Sequence, residues 1–149
     1  MVTGAKSPTS AVAHGGIYVW KDGREHTDTF HALLDYPEGF LMSWGMGLAN
    51  SHGVHFDLCG TEATMDLEKW VVSGEGGAGV KKMPARPLQA EPSESHMGNW
   101  IDCIRSRKRP NADIEYGHQH AVATIMAAAA LETGRRHVYD PVRREMRPG

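Results

Sequence analysis

The residues best suited to bind a polar ligand fall in two short stretches of the 149-residue chain. Positions 20–24 read WKDGR, which places an indole, two cations and a carboxylate in a predicted turn. His55 and Asp57 lie two positions apart in an alternating stretch, so their side chains would point the same way from a strand. The simpler interpretations are a hairpin tip with a solvated charge pair and a hydrogen-bonded surface pair. The candidate pocket residues are Trp20, Lys21, Arg24, His55 and Asp57.

Common catalytic and nucleotide-binding motifs do not occur in a suitable context. Residues 74–79, GEGGAG, match the GxGxxG pattern of dinucleotide-binding loops, which requires a helix to begin at the third glycine. The sequence that follows, VKKMPARP, contains two prolines and predicts no helix there. There is no GxSxG, P-loop or HExxH pattern, and no pair of carboxylates stands out as an acid and a base. We therefore assign no catalytic and no cofactor-binding residue to this chain.

The nine histidines are spaced unsuitably for a metal site. His118 and His120 are two positions apart on a predicted helix, which turns their rings to roughly opposite sides. His55 and Asp57 could supply half of a site, but no third ligand accompanies them. We expect no bound metal.

Charge and hydropathy exclude several classes of protein. Sixteen Lys and Arg residues against 18 Asp and Glu give a net charge of −2, too balanced for a dedicated binder of nucleic acid or membrane surfaces. The basic run at residues 105–109 lies at a predicted helix C-terminus, where the helix dipole favours cations. No apolar run approaches the ~20 residues that span a bilayer, and residues 1–10 lack the apolar core of a signal peptide. We expect a cytoplasmic location.

Two cysteines, Cys59 and Cys103, lie far apart in the sequence and match no paired ligand spacing. We expect buried free thiols in a reducing compartment, while a disulfide between them stays open at this stage.

The first half of the chain has the pattern of short antiparallel strands. Alternating or β-branched and aromatic residues predict strands at 17–20, 26–36, 40–48, 54–59, 63–67 and 70–73. Asp22-Gly23 is a strong hairpin signal, and short turns between successive strands imply antiparallel neighbours in a meander. Residues 73–92 are rich in glycine and proline and predict a crossing loop.

The hairpin loop near residues 37–38 determines which side chains share a face of the sheet. With a two-residue loop, Leu33 would lie opposite Met42 on one face, and Leu34 opposite Leu41 on the other. A loop one residue longer would regroup these side chains. Either register leaves large apolar residues on both faces.

Two helices follow the strands. The first is predicted from an apolar stripe at helical spacing, with Ser93 as a candidate N-cap. The stripe consists of Met97, Trp100, Ile101 and Ile104. The second helix begins near residues 113–116 and ends at Gly134, and a last strand follows at 135–139.

Strands first and helices afterwards predict an α+β fold, a mostly antiparallel meander sheet with two C-terminal helices packed on one face. The opposite face then has no cover from this chain, and we expect it to mediate oligomerisation. We divide the chain into a flexible N-terminal segment (1–14), one α+β domain (15–141) and a basic tail (142–149).

Segments along nearly the whole chain carry a family resemblance. They are residues 16–24, 28–30 and 34–40, GTE at 60–62, HMGNWIDCIRSRKRP at 96–110, EYGH at 115–118, TGRR at 133–136 and YDP at 139–141. Their order and spacing resemble the C-terminal domain of the glucose-fructose oxidoreductase/inositol dehydrogenase/rhizopine catabolism (Gfo/Idh/MocA) family. The resemblance implies an α+β domain with a large, mostly antiparallel sheet that shapes the substrate pocket and often forms the subunit contact.

The resemblance also implies parts that are absent from this sequence. Such enzymes carry an N-terminal Rossmann domain for NAD(P), a Glu-Lys-Pro segment with a catalytic lysine, and an Asp and a His four positions apart. Here Glu68-Lys69 is followed by Trp70, and no Asp-xxx-His precedes Gly16, so no catalytic residue is carried over. Ala63 stands where the family's turn has glycine.

We therefore expect the isolated substrate-pocket and oligomerisation domain of an NAD(P)-dependent sugar- or polyol-type oxidoreductase, inactive alone and without its own cofactor. Expected partners are a second copy of the chain, a separate Rossmann-domain protein and a small polar or sugar-like ligand. The alternatives are a free-standing carbohydrate-binding module and one subunit of a split oxidoreductase.

Overall fold

A computed structural model describes residues 4–77, 79–89 and 94–149. The strands are β1 (Ser10–Gly16), β2 (Thr29–Tyr36), β3 (Phe40–Gly47), β4 (Asp57–Cys59), β5 (Thr64–Asp66), β6 (Val71–Gly74), β7 (Met83–Pro87), β8 (His137–Asp140) and β9 (Glu145–Pro148), and the helices are α1 (His96–Ser106) and α2 (Ile114–Thr133). These antiparallel strands and two helices confirm the α+β prediction.

The chain divides into two compact units. The first comprises Met1–Ala49 and His96–Gly149, and its five-stranded sheet has the order β3-β2-β1-β8-β9. The second, Asn50–Ser95, contains a four-stranded sheet in the order β4-β5-β6-β7. The predicted succession of strands is therefore distributed over two sheets.

Helix α2 has clear start and stop signals. Asp113 is its N-cap, and its carboxylate accepts hydrogen bonds from the backbone N–H groups of Glu115 (2.9 Å) and Tyr116 (3.1 Å). Gly134 ends the helix with φ of 65°, a left-handed conformation that glycine adopts without a Cβ clash. Both predicted ends are confirmed.

The core of the first unit lies between α2 and one face of the five-stranded sheet. From the sheet, Phe30, Ala32 and Leu34 project at every second position, and from the helix Val122 and Met126 meet them one turn apart. Burying a large apolar side chain such as Met126, which is 1% exposed, stabilises the fold by roughly 1.5–3 kcal/mol.

The β2–β3 hairpin has a loop one residue longer than the two-residue loop predicted. Tyr36 pairs with Phe40, so residues 37–39 form the loop, and Gly39 closes it with φ of 84°. The predicted pairing of Leu33 with Met42 is wrong, because Leu33 lies opposite Ser43.

Apolar side chains remain on the sheet face away from α2. They are Val12, Leu33 and Leu41, and their exposures range from 41% to 61%. We call this the open face, and its polar residues include His14, His31 and Asp35.

Several strands lie outside the predicted ranges. β1 begins at Ser10, inside the segment predicted to be flexible, and β9 occupies part of the predicted basic tail. β7, Met83–Pro87, lies within the predicted crossing loop. Its two prolines are compatible with a strand because β7 is the outer strand of its sheet and pairs only with β6.

The two cysteines and the predicted helix cap at Ser93 remain to be placed. Cys59 is exposed at the outer strand β4, so the expectation of a buried thiol is wrong for this residue. Cys103 is half-buried, and both thiols are free. The predicted cap Ser93 lies outside the described residues.

Candidate functional site

The connection between β1 and β2 is a long loop held by one buried carboxylate. Asp28, fully buried directly before β2, accepts hydrogen bonds from the backbone N–H groups of Tyr18 (3.1 Å), Val19 (2.7 Å) and Trp20 (3.0 Å). The Thr29 hydroxyl donates a fourth at 3.0 Å. The prediction of a strand at residues 17–20 is wrong because three of its backbone donors bind this side chain instead of a neighbouring strand.

This hydrogen-bond arrangement fixes the ionisation of Asp28. Burial by itself would raise the pKa of the carboxyl group, but the three backbone N–H donors and the Thr29 hydroxyl outweigh it and hold the pKa well below its usual range. Asp28 is therefore a carboxylate at neutral pH, and its role in the loop is structural.

The tip of the loop holds an ordered group of polar and aromatic side chains. The Arg24 guanidinium lies 4.3 Å from the centroid of the Trp20 ring and donates to both carboxylate oxygens of Asp22, from Nε at 2.8 Å and from Nη2 at 2.5 Å. This side-chain hydrogen bonding lowers the pKa of Asp22 to about 2. Gly23, at φ of 90°, lets the backbone N–H of Arg24 also bond to Asp22. Lys21 folds back and donates to the carbonyl oxygen of Ile17.

The tip has the chemistry of a ligand-binding wall rather than of a catalytic centre. The Trp20 ring is half-buried, with one face occupied by a cation, and both Asp22 oxygens are neutralised by Arg24. An indole and a guanidinium held in one arrangement suit stacking and hydrogen bonding to a polar, hydroxyl-bearing molecule.

The remaining two candidate residues belong to the second unit. His55 lies before β4, where its Nε2 is 3.1 Å from the His52 carbonyl oxygen and its Nδ1 is 3.5 Å from Glu68 Oε2. Asp57 is the first residue of β4 and pairs with Asp66 of β5. Three of the five candidates thus lie in one loop of the first unit, where Trp20 and Arg24 are in contact, and two lie in the second unit. Within the described part of the chain, the partners of His55 are His52 and Glu68 rather than Asp57.

Among the described residues, two concave surfaces lie where the sequence indicated no site. One, of about 570 Å³, lies in the second unit and is lined by residues that include Glu62, Lys81 and Arg86. The other, of about 360 Å³, lies between α1 and the segment that follows it, and is lined by His96, Met97, Asn99, Trp100, Pro110 and Ala112. Both surfaces are lined by residues from separate segments of the chain, so no local sequence pattern indicates them. The role of Asp28 did have a local signal, because it is an acidic residue directly before a strand.

Neither a metal cluster nor a membrane span is found in the part of the chain that the structure describes. Over residues 4–77, 79–89 and 94–149, no three His, Cys, Asp or Glu side chains are grouped as metal ligands. Within the same residues, neither helix has the length and apolar character needed to cross a bilayer.

Comparison with solved structures finds this fold in parts of larger proteins. An NAD-binding protein from Listeria innocua superimposes with a TM-score of 0.64 at 19% sequence identity, over 88% of this chain and 45% of its own. A Thermotoga maritima protein assigned to the oxidoreductases gives a TM-score of 0.66 at 14% identity, over 88% of this chain and 40% of its own. An Agrobacterium radiobacter oxidoreductase in complex with NAD+, L-tartaric acid and magnesium gives 0.52 at 18% identity, over 87% and 43%.

These likenesses concern the fold, since all are below 20% identity. The chain spans less than half the length of each of these neighbours. No protein-family model matches the sequence, and no curated protein matches it.

Proposed function

We propose that this chain is the substrate domain of an NAD(P)-dependent oxidoreductase of the Gfo/Idh/MocA type, acting on a sugar or polyol. One observation carries the proposal: 88% of the chain shares the fold of 45% of an NAD-binding protein. The family resemblance of the sequence, over about residues 15–141, supports the same assignment. In this proposal a nucleotide-binding region elsewhere supplies the NAD(P) site, and this chain has no catalytic or cofactor residue of its own.

The loop between β1 and β2 would supply part of the substrate pocket. Trp20 offers an aromatic face, and Arg24 offers N–H donors held in place by Asp22. Lys21 is a third candidate in the same loop, and His55 and Asp57 are separate candidates within the second unit. Hydroxyl-rich molecules match this chemistry because they bind through many weak polar contacts and an apolar ring face.

The open face of the five-stranded sheet would form the contact between copies of the chain. Val12, Leu33 and Leu41 are exposed there without cover from α2, which packs against the opposite face. Association would remove these side chains from water, a gain of roughly 25 cal/mol per Å² of apolar surface.

The test compares the purified chain alone with the chain joined to, or mixed with, a nucleotide-binding region from the same organism. A panel of D-glucose, D-xylose, myo-inositol and sorbitol is offered with NAD+ or NADP+, and NADH or NADPH formation is followed by absorbance. We expect turnover only when both parts are present. Trp20→Ala should lower kcat/KM at least about tenfold, whereas Trp70→Ala, at a half-exposed tryptophan in the second unit, should not.

Two results would contradict the proposal. One is the absence of turnover with every sugar and polyol when both parts are present. The other is calorimetric binding of a sugar by the chain alone, with an affinity that the nucleotide-binding region leaves unchanged, which would identify a free-standing carbohydrate-binding module.

A further inference from the structure

Helix α1 carries an apolar stripe that stays exposed among the residues that the structure describes. Met97, Trp100, Ile101 and Ile104 follow at helical spacing and are 37% to 58% exposed. None of the 11 residues of α1 is buried. An isolated helix of this length is marginal in water, and most helical stability in proteins comes from packing an apolar face. The stripe therefore has the character of a surface that is completed by a partner.

The stripe continues into a preformed cleft. The segment after α1 is tied back to the helix because the backbone N–H of Asn111 donates to Asn99 Oδ1 at 2.9 Å. An ion pair between Arg109 and Asp113 holds the same segment at the start of α2. The cleft enclosed in this way has a volume of about 360 Å³, and Met97 and Trp100 of the stripe are among its lining residues.

Hydrogen bonds through Tyr139 connect the early part of α2 to the residue before β1. The carbonyl oxygen of Thr9 accepts from the backbone N–H of Tyr139, and the Tyr139 hydroxyl lies 3.3 Å from Nε2 of His118 in the early part of α2. The segment that enters β1 and the N-terminal half of α2 are thus at the same end of the unit as the α1–α2 connection. A domain attached before β1 would therefore emerge at the end of the unit where α2 begins.

We propose that the stripe and cleft of α1 are the docking surface for the nucleotide-binding region of the oxidoreductase, an inference that rests on the proposed function. The Listeria innocua neighbour is an NAD-binding protein, and this chain's fold accounts for 45% of it. The glycine-rich run of this chain leads into β7 and no helix begins at its third glycine, so the fold shared with the neighbours lacks a dinucleotide-binding turn among the described residues. NAD must then be held by the remaining part of such a protein.

The open face is a poorer candidate for this partner. There, His14, His31 and Asp35 interrupt the apolar residues, whereas the α1 stripe has four large apolar side chains on one side of the helix. Burying mainly apolar side chains costs less desolvation than burying imidazoles and a carboxylate, which favours a lasting contact between domains.

A photo-crosslinking experiment tests the docking surface. The chain is prepared with Ile101→p-benzoylphenylalanine, and a control carries the same substitution at Ile125, a 56% exposed residue of α2. Each is irradiated in an extract of the cells that natively express the chain, and the crosslinked polypeptide is identified by mass spectrometry and tested for retention on NAD-agarose. We expect position 101, but not position 125, to capture a polypeptide or domain that NAD+ elutes. Ile104→Glu should reduce this capture at least about tenfold while leaving the circular dichroism melt unchanged, because Ile104 is half-exposed.

The outcomes separate the surface from the proposed function. Capture of the NAD-retained polypeptide at position 125 instead of 101 would overturn the α1 surface and leave the oxidoreductase assignment intact. A crosslink from position 101 to a second copy, or to residues 50–95 of the chain itself, would also overturn it. Absence of any NAD-retained polypeptide at either position would count against both.

Discussion

At the residue scale, Asp28 determines the conformation of the candidate loop. One carboxylate binds the backbone N–H groups of three successive residues, and it is fully buried. An amide in its place presents two N–H donors to a site that already consists of donors, which leaves polar groups unsatisfied.

We expect Asp28→Asn to lower the Tm by about 5 °C and to raise the exchange rates of the amides of residues 18–20 at least about tenfold. Asp22→Asn is the matched control, because Asp22 has a lowered pKa too but lies exposed at the tip. Its effect on the Tm should be no more than about 1–2 °C. Equal effects of the two variants, in calorimetry and hydrogen exchange, would show that Asp28 does not hold the loop.

The same carboxylate predicts a pH dependence of stability. Its pKa in the folded chain is lowered relative to the ordinary value of about 4 for aspartate. Its stabilising contribution is therefore complete above that ordinary value and is lost as the pH falls below it. Urea unfolding between pH 7 and pH 2 should show the wild type and Asp28→Asn converging below about pH 4. A gap of constant size across this range would contradict the assignment.

Residue types indicated the candidate loop but not its construction. The sequence identified the unusual chemistry of residues 20–24, and the structure places an indole, a guanidinium and a carboxylate in contact there. Residues 17–20 were predicted as a strand because IYVW has high β-propensity. That propensity is overridden because their backbone donors bind a side chain eight to ten positions away.

At the element scale, the signals for α2 were strong and local. A capping aspartate, an apolar face and a terminal glycine gave both ends of the helix correctly. β7 and β9 could not be predicted in the same way. Their residues satisfy no strand pattern and depend on a neighbouring strand for their hydrogen bonds.

Gly117 in α2 and Gly134, which caps its C-terminus, should respond to alanine in opposite directions. Gly134→Ala should destabilise the chain by about 1 kcal/mol, because residue 134 has φ of 65°. Gly117→Ala should stabilise it by about 0.5–1 kcal/mol, because Gly117 is helical and a Cβ there meets nothing within 4 Å. Urea denaturation of both variants checks the pair. Destabilisation by both would mean that position 117 does not have ordinary helical geometry.

The hairpin between β2 and β3 shows how one residue changes the composition of two faces. The sequence was compatible with a loop of two residues and with a loop one residue longer. Gly39 decides in favour of the longer loop because it supplies the positive φ that closes it. This register pairs Leu34 with Met42 on the side of α2 and leaves Leu33 opposite Ser43 on the open face.

At the scale of the whole molecule, the chain has two apolar surfaces for which we propose different partners. The open face would contact a second copy, and the α1 stripe would contact the nucleotide-binding region. Sequence patterns predicted the fold class, the presence of apolar residues on both sheet faces and the apolar stripe of α1. They did not show that α1 remains exposed, because a helical stripe has the same pattern whether its partner lies in the same chain or in another.

We expect light scattering to show an oligomer for the wild type and a monomer for Leu33→Glu, because a carboxylate on the open face would have to be buried without a partner. Val142→Glu, at a 91% exposed position after β8, should retain the wild-type mass. A strictly monomeric wild type at high concentration would contradict self-association through this face.

Asp28 holds the loop through backbone N–H groups, so the path of the loop does not depend on which side chains it displays. Tyr18, Val19 and Trp20 each contribute an amide hydrogen, which every amino acid except proline possesses. Substitutions at these three positions can therefore change the side chains that the loop displays while the path of its backbone stays the same. A library randomised at these three codons, with proline excluded, would therefore keep the path of this loop while changing the side chains that it displays.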